Sequence, residues 1–366
     1  MAENNEFFIE DFLRQAVAVG ASDVHLCEDE RPAIRISGKI TRINLPPLTA
    51  DDMDFTIRTI APAHLKDRIS RFFDIDFSYE IKGCSRFRVN LSRQLGKTAV
   101  VIRAIPIKIK TFEELGLPST LEEFTTYNNG IVLVTGPTGS GKSTTIAALI
   151  NHISKNYSKH IITVEDPVEF IFTSQKSIIS QRQLLVDTPN FSDGVKYALR
   201  QDPDVIFIGE IRDRETMEAA LKAAETGHLV VSTIHTNDAV QTVSRVINMF
   251  EPNERPFVRS QFANTLRGIV SQKLIPMVDE TSRVPAAEVL VVTSTVKDYI
   301  LKDELEKIYE LVKNGSFNNM VTMNMSIYRL FKEGKITGNL ALEFSDNKPE
   351  LELMMKGIYY GTKSNV

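Results

Sequence analysis

Residues 136–143 read GPTGSGKS, which fits the spacing G-x-x-x-x-G-K-[ST] of a phosphate-binding loop. In such a loop the glycines let backbone N–H groups curve around phosphate oxygens, and the following helix adds the partial positive charge of its N-terminus. Lys142 would reach the β- and γ-phosphates, and the hydroxyl of Ser143 would bind Mg²⁺. The spacing therefore predicts a site for ATP and Mg²⁺ rather than a glycine-rich turn. The loop residues of this predicted site are Gly136, Pro137, Thr138, Gly139, Ser140, Gly141, Lys142, Ser143 and Thr144.

Two acidic residues end apolar segments that have the character of buried strands. Glu210 follows VIFIG (205–209), and Glu165 ends IITVE (161–165). A carboxylate at the carboxyl end of a parallel strand beside the loop can hold Mg²⁺ through water or orient the attacking water. We predict that Glu210 is the catalytic carboxylate and that Glu165 shares in metal positioning and water activation. Many such sites have a metal-holding Asp at the position of Gly209, and this chain lacks it. The alternative to a catalytic role for Glu210 is that it is a solvated acid at the end of a strand.

Two histidines, His228 and His235, flank a third apolar segment, LVVSTI (229–234). His235 lies at its carboxyl end between Thr233 and Thr236, where a sensor of the γ-phosphate would lie, so we predict a catalytic role for it. We assign His228 to nucleotide binding, with a satisfied core histidine as the open alternative.

Two arginines before residue 105 belong to predicted strands. Arg88 lies in RFRVNLS (86–92), where it alternates with apolar residues, and Arg103 lies in AVVIRAI (99–105). From composition alone, arginines on the strands of a small domain most often form a solvated face. The residue pattern by itself leaves their role open.

The elements that must position these residues follow two patterns of hydrophobicity. One predicted helix (9–20) precedes short β-branched segments up to residue 105, which indicates a small α+β domain around an antiparallel sheet. After residue 131, near-continuous apolar segments alternate with helical ones, as is typical of a parallel sheet covered on both faces. We predict an N-terminal domain (1–104), a linker (105–118) and an α/β domain (119–366) with a helical C-terminal region.

Bulk composition limits the class of protein. The chain has 366 residues, of which 42% are hydrophobic and 25% charged, values of a soluble globular protein with room for two domains. No apolar run approaches the roughly 18 residues of a membrane span, and the start does not read as a secretory signal, so we expect a cytoplasmic protein. A net charge of −4 offers no global attraction to nucleic acid, and two isolated cysteines predict neither a disulfide framework nor a zinc site.

Four segments together resemble motifs of the type II/type IV secretion ATPase superfamily. GPTGSGKST (136–144), ITVEDPVEF (162–170), LRQDPDVIFIGEIRD (199–213) and TGHLVVSTIHTNDA (226–239) are similar to its Walker A, Asp box, Walker B and His box. The opening segment, residues 20–43, resembles the PAS-like domain of PilT-type pilus retraction ATPases.

The resemblance implies a PAS-like domain followed by a RecA-like P-loop ATPase domain. It implies that Glu210 is the Walker B glutamate, that Glu165 is the Asp-box acid, and that Arg88 and Arg103 reach the triphosphate when the two domains close. It also implies a homo-hexameric ring that hydrolyses ATP at the inner face of the cytoplasmic membrane. The implied partners are an inner-membrane pilus platform protein and a paralogous retraction or extension ATPase.

Several functional alternatives remain beside pilus retraction. Pilus extension and type II secretion ATPases carry a further N-terminal domain and usually a four-cysteine zinc site, and this chain shows neither, so retraction is preferred. Retraction motors typically have an Ala-Ile-Arg-rich helical motif where this chain reads STVKDYILKDEL (294–305), which leaves the accessory, PilU-like branch open. From other classes, the alternatives are a RecA-like nucleic-acid translocase and a regulatory subunit that binds ATP without hydrolysing it.

Overall fold

The computed structural model describes residues 8–36, 38–65, 74–105, 108–279, 282–314 and 319–358. The chain divides into two compact units, the first formed by Met1–Lys108 with Pro167–Ile171 and the second by Ile109–Asp166 with Phe172–Val366. Pro106 and Ile107 of the predicted linker lie outside the described residues. The functional domain bounds stay a prediction.

The first unit is built on an antiparallel sheet. Its strands follow the order β3-β2-β1-β6-β5-β4, and every neighbouring pair is antiparallel. The elements of the described residues are α1 (Ile9–Ala18), β1 (Asp23–Cys27), β2 (Ala33–Ile36), β3 (Lys39–Arg42), α2 (Ala50–Ile60), a 3₁₀ turn (Ala63–Leu65), β4 (Asp74–Ile81), β5 (Ser85–Gln94) and β6 (Lys97–Ile105). This architecture confirms the predicted α+β unit.

One face of this sheet is apolar and the other is polar. Along β5 the side chains of Phe87, Val89 and Leu91 are buried, whereas those between them are partly exposed. The period of two places Arg88 on the polar face, as predicted. The apolar face belongs to a core that includes Leu13 of α1, and α1 buries residues at positions i, i+4 and i+7, the spacing of a helical stripe.

The second unit is built on a seven-stranded sheet of order β13-β12-β7-β11-β10-β8-β9. All neighbouring pairs are parallel except β12 with β13. Its strands are β7 (Gly130–Thr135), β8 (His160–Glu165), β9 (Ile178–Gln183), β10 (Val205–Ile208), β11 (Leu229–Ile234), β12 (Leu266–Pro276) and β13 (Arg283–Val291). The predicted mainly parallel sheet is confirmed.

Helices surround this sheet and form the C-terminal part of the chain. Those before residue 270 are α3 (Phe112–Leu115), α4 (Thr120–Phe124), α5 (Lys142–Asn156), α6 (Phe191–Ala198), α7 (Arg214–Glu225), α8 (Ala239–Asn248) and α9 (Arg255–Thr265). The C-terminal helices are α10 (Ser294–Lys302), α11 (Glu306–Asn314), α12 (Met323–Lys332), α13 (Gly338–Phe344) and α14 (Lys348–Met355). Within the described ranges, no helix is both long and apolar enough to cross a membrane.

The two crossover helices bury the stripes that their sequence predicts. On α5, Ile146 and Ile150 are fully buried, and on α7 Met217 and Ala220 are as well. Burying an Ile or Met side chain stabilises the fold by roughly 1.5 to 3 kcal/mol. The packing of α5 therefore fixes the position of its first turn, in which the phosphate-binding loop ends.

Candidate functional site

The phosphate-binding loop connects the buried strand β7 to α5. Gly136, Gly139 and Gly141 have φ values of 141°, 79° and 93°, a region that favours glycine. A Cβ atom on Gly136 would lie 2.3 Å from the carbonyl oxygen of Gln272 on β12. The loop thus keeps its curvature because glycine alone fits against β12 at this point.

Lys142 and Ser140 give the loop its polar interior. The Nζ of Lys142 donates to the carbonyl oxygens of Gly136 at 2.8 Å and Pro137 at 3.0 Å, which holds the ammonium over the loop. The hydroxyl of Ser140 is buried and has no hydrogen-bond partner in the described residues. A buried hydroxyl without a partner costs about 1 to 3 kcal/mol, and a phosphate oxygen would satisfy it.

The residues at the start of α5 fit Mg²⁺ bound together with a nucleotide. Ser143 is exposed at the second position of the helix, next to Lys142. In the described part of the chain no cluster of three or more His, Cys, Asp or Glu residues could hold a metal ion alone. Mg²⁺ at phosphate sites keeps several waters and needs only one or two protein ligands besides the phosphates, so a single hydroxyl and a nearby carboxylate suffice.

Glu210 and His235 meet at the carboxyl ends of the adjacent strands β10 and β11. The Nε2 of His235 lies 3.1 Å from Oε1 of Glu210, whose side chain is 17% exposed. The hydroxyl of Thr233 donates to the carbonyl of Gly209 at 2.8 Å, which ties the two strand ends together. The structure therefore brings together two residues that the sequence assigned to catalysis from separate motifs.

Arg212 holds the other oxygen of Glu210, a contact that the sequence analysis missed. Its Nη2 lies 2.7 Å from Oε2 of Glu210, and this bond raises the pKa of Arg212 further above its ordinary value. The only feature of the sequence that could have predicted this contact is that Glu210 and Arg212 are two residues apart within GEIRD (209–213). Arg212 thus neutralises the carboxylate of Glu210 in this conformation.

Glu165 lies at the same edge, at the end of β8. It is 6% exposed, and its Oε1 accepts hydrogen bonds from the hydroxyl of Thr163 at 2.7 Å and the amide of Gln181 at 3.1 Å. The N–H of Gly209 donates to the carbonyl of Val164, which places β8 directly beside β10 at this edge. The two predicted carboxylates thus end adjacent strands.

His228 lies at the amino end of β11, opposite the edge that carries His235. Its Nδ1 is 2.9 Å from the carbonyl of Ala223 and 3.1 Å from the hydroxyl of Thr226, contacts that secure the turn from α7 into β11. A strand of six residues separates the two histidines by roughly 20 Å, at about 3.3 Å per residue. Within one copy of the chain the geometry does not bring His228 to the phosphate-binding loop.

Arg88 and Arg103 belong to the first unit, where they stand directly opposite each other on β5 and β6. Arg88 lies 3.7 Å from the carboxylates of Asp76 and Glu169, and Arg103 donates to Asp23 at 2.8 Å. Like charges directly opposed across a sheet repel each other. The carboxylates of Asp76, Glu169 and Asp23 offset this repulsion within the first unit.

Glu288 is a buried acid behind the segment that carries His235. It is 5% exposed, lines a cavity of about 450 Å³, and accepts a hydrogen bond at 2.9 Å from the N–H of Ala239, the first residue of α8. Burial raises the pKa of Glu288 to about 7, against the opposing effect of the Ala239 bond. Glu288 thus anchors α8 four residues after His235.

Replacing Glu288 by Gln is expected to stabilise the protein at alkaline pH. The unfolded carboxyl ionises near pH 4.3, but the folded one keeps its proton up to about pH 7, so stability falls as the pH rises through this window. Gln keeps an acceptor for Ala239 and carries no charge. We expect a gain of up to about 3 kcal/mol above pH 7 that shrinks toward pH 5.

The measurement is the midpoint of thermal unfolding at pH 5 and pH 8. Glu306→Gln is the matched control, because Glu306 is an exposed acid on the same cavity. An equal shift of the midpoint at both pH values in Glu288→Gln would contradict the assignment.

The parallel sheet, the glycine-rich loop and the carboxylate on the neighbouring strands define a P-loop nucleoside triphosphatase. Residues 3–320 match the family described as "Type II/IV secretion system protein". The chain belongs to this family, as the sequence motifs predict.

Individual relatives cover nearly the whole chain. It is 40% identical over 335 residues to the "Type IV pilus retractation ATPase PilT" of Pseudomonas aeruginosa, which covers 92% of this chain and 97% of that protein. It is 35% identical over 347 residues to the "Type IV pilus ATPase PilU" of the same organism, with 95% and 91% covered. The crystal structure of the "Pilus Retraction Motor PilT and Bound ADP" superposes with a TM-score of 0.87 at 42% identity, covering 95% of this chain and 99% of that one.

Proposed function

We propose that this chain is a motor ATPase that hydrolyses ATP to ADP and phosphate and thereby drives retraction of type IV pili. The observation that carries the proposal is the phosphate-binding loop with Lys142 in place, in a unit that also joins Glu210 to His235. A relative named as a pilus retraction ATPase, 40% identical along almost the entire chain, supports the pilus role.

ATP binds in this proposal with its phosphates in the loop of residues 136–144. The N–H groups of the loop and the Nζ of Lys142 neutralise the phosphate oxygens. Mg²⁺ supplies further neutralisation of the charge on the transferred phosphoryl group. When Mg²⁺ is bound, Ser143 would hold it directly, and Glu165 and Glu210 would hold it through water.

Glu210 acts as the catalytic carboxylate, which orients the attacking water. His235 positions Glu210, since the Nε2 of His235 already contacts one oxygen of the Glu210 carboxylate. When water replaces Arg212 at the other carboxylate oxygen, Glu210 changes from an ion-paired carboxylate to one that can orient the attacking water.

The first unit contributes Arg88 and Arg103 to the same reaction. We propose that the N-terminal domain spans residues 1–104, the linker 105–118 and the motor domain 119–366. The chain works as a homo-hexamer in the cytoplasm at the inner face of the membrane, on a pilus platform protein. These assignments rest on kinship with the family.

Retraction is favoured over extension or type II secretion by two observations. A sequence with two cysteines cannot form a four-cysteine zinc site, and the chain spans 97% of the retraction ATPase relative. Identity to PilT is 40% against 35% to PilU, which favours the main motor over the accessory branch.

Deleting the gene tests the pilus role. We expect cells that carry excess pili, do not twitch, and regain retraction when the wild-type gene is supplied. Loss of pili would instead indicate that the chain is an extension ATPase. Unchanged piliation and motility would contradict any role in the pilus cycle.

Arginine substitutions test the role of the first unit. If Arg88 and Arg103 stabilise charge on the transferring phosphoryl group, they contribute to turnover more than to binding. We expect Arg88→Ala and Arg103→Ala each to lower kcat by roughly tenfold to a thousandfold, with ATP affinity and Tm nearly unchanged. Lys should restore either site only partly, because it lacks the planar fork that meets two oxygens.

The steady-state ATPase rate is measured beside nucleotide affinity. Arg58→Ala is the control, since Arg58 is an exposed arginine of the same unit that pairs with Asp54 on α2. A wild-type kcat in both alanine variants would show that Arg88 and Arg103 have no catalytic role and belong to a solvated face.

A further inference from the structure

A buried carboxylate interrupts the arginines on the polar face of the first sheet. Asp23 on β1 pairs across the sheet with Arg35 on one side and Arg103 on the other, and Arg103 pairs in turn with Arg88. Residues directly opposite on neighbouring strands point to the same face. The four side chains therefore form one row, here called the arginine row.

Within the arginine row, Asp23 binds Arg103 through the inner nitrogen of the guanidinium. The Nε of Arg103 donates to Oδ1 of Asp23 at 2.8 Å, and the hydroxyl of Ser22 donates to Oδ2 at 2.8 Å. The Nε of Arg35 is 3.9 Å from Oδ2, beyond hydrogen-bond distance. The bond to Nε leaves both Nη nitrogens of Arg103 for another acceptor.

The two partners of this bond differ in exposure. The carboxyl side chain of Asp23 is 7% exposed, whereas the side chain of Arg103 is 63% exposed. Burial alone would raise the pKa of Asp23, yet the hydrogen bonds from Arg103 and Ser22 hold it below its ordinary value. Asp23 is thus a fixed, ionised anchor beneath a guanidinium that faces solvent.

Such an anchor has a consequence for phosphate recognition. A long arginine side chain loses rotamer freedom when it docks on an anion, at a cost of up to about 2 kcal/mol. A bond to Nε fixes the plane of the guanidinium before the anion arrives and leaves an edge of N–H donors that matches two phosphate oxygens. Asp23 therefore orders the guanidinium of Arg103 before ATP binds, so that less rotamer freedom is lost during turnover.

We propose that Asp23 is a positioning residue that orients Arg103 so that its Nη nitrogens meet the phosphate chain of ATP. This inference rests on the proposed role of Arg103 in hydrolysis. Arg88 is held less closely, because its carboxylate neighbours Asp76 and Glu169 are 3.7 Å away. The proposal therefore concerns Arg103 and predicts that the effect of Asp23 requires that arginine.

A double-mutant cycle tests the proposal. Asp23→Asn keeps the size of the side chain and removes the charge that holds Nε. We expect it to lower kcat about tenfold, since small displacements of a positioned group cost up to about a hundredfold, while KM for ATP changes less than about twofold. In the Arg103→Ala background, the same substitution should change kcat less than about twofold, because no arginine remains to be positioned.

Two further variants keep the test decisive. Asp29→Asn removes a different ion pair of the same unit, with Lys97 at 2.8 Å, and should leave kcat at the wild-type value. If Asp23→Asn does not fold, Asp23→Glu takes its place in the cycle, because it keeps the charge but displaces Arg103.

The outcomes separate this inference from the function on which it rests. Equal losses of kcat in the wild-type and Arg103→Ala backgrounds, or a wild-type kcat for the Asp23 variant, would overturn the positioning role alone. A wild-type kcat for Arg103→Ala would overturn the role of the arginine and the inference with it, while ATP hydrolysis by the chain would stand.

Discussion

We expect replacement of Lys142 by Ala to abolish ATP hydrolysis and to leave the fold intact. The Nζ of Lys142 is the only side-chain ammonium that the loop sequence supplies, and it already lies over the carbonyls of Gly136 and Pro137. Without it the negative charge of the β- and γ-phosphates is not neutralised at the transferring bond. We expect turnover to fall by at least about a thousandfold, the scale of a charge clamp on a phosphoryl group.

The fold should survive because Lys142 is partly exposed and its hydrogen bonds to Gly136 and Pro137 lie in the loop, outside the buried core of the unit. Phosphate release and thermal unfolding are measured on the same preparation. Lys155→Ala, an exposed lysine near the end of the same helix, serves as the control. Retained activity in pure Lys142→Ala protein would refute the phosphate-site assignment.

The second large effect is expected from Glu210→Gln. Gln keeps the shape and the hydrogen-bonding capacity toward His235, but it removes the charge that orients water and attracts Mg²⁺. We expect ATP affinity close to the wild-type value and turnover reduced at least about a hundredfold, the scale of general acid–base effects. The lost ion pair with Arg212 matters little for stability, because that arginine is 71% exposed.

Nucleotide affinity and single-turnover hydrolysis are measured for Glu210→Gln beside Glu215→Gln, an exposed acid on α7. The control should behave as the wild type in both assays. A Glu210→Gln variant that binds no nucleotide, or that hydrolyses at the normal rate, would show that Glu210 has another task.

Local patterns explain what the sequence could predict. The loop of residues 136–143 is a contiguous motif whose chemistry depends on spacing, so it required no knowledge of the fold. The burial of Ile146 and Met217 follows from a period of 3.6 residues, and the alternation along β5 from a period of 2. Glu210 and His235 were placed together because the carboxyl ends of parallel strands share one edge.

Features that depend on pairing between distant segments were missed. β3 and β9 carry no strong local signal, and the antiparallel pairing of β12 with β13 does not follow from a local pattern. Asp23 meets Arg103 across 80 residues of sequence. Strand direction puts His228 at the edge of the sheet opposite His235, and its assignment to nucleotide binding stays a prediction.

The end of the first helix was also misplaced. The sequence predicts a helix over residues 9–20, but the structure ends α1 at Ala18 and leaves Val19 57% exposed. The buried stripe of α1 consists of Ile9, Leu13 and Ala16, because the packing of α1 on the sheet selects among several apolar positions with helical spacing.

Hydrolysis of ATP by this chain is measured as phosphate release from the purified wild-type protein, followed over many turnovers with ATP and Mg²⁺. We expect continuous release that stops when Mg²⁺ is chelated. Tight ATP binding without release of phosphate, under conditions in which the chain is folded and assembled, would contradict it and identify a regulatory subunit that binds ATP without hydrolysing it.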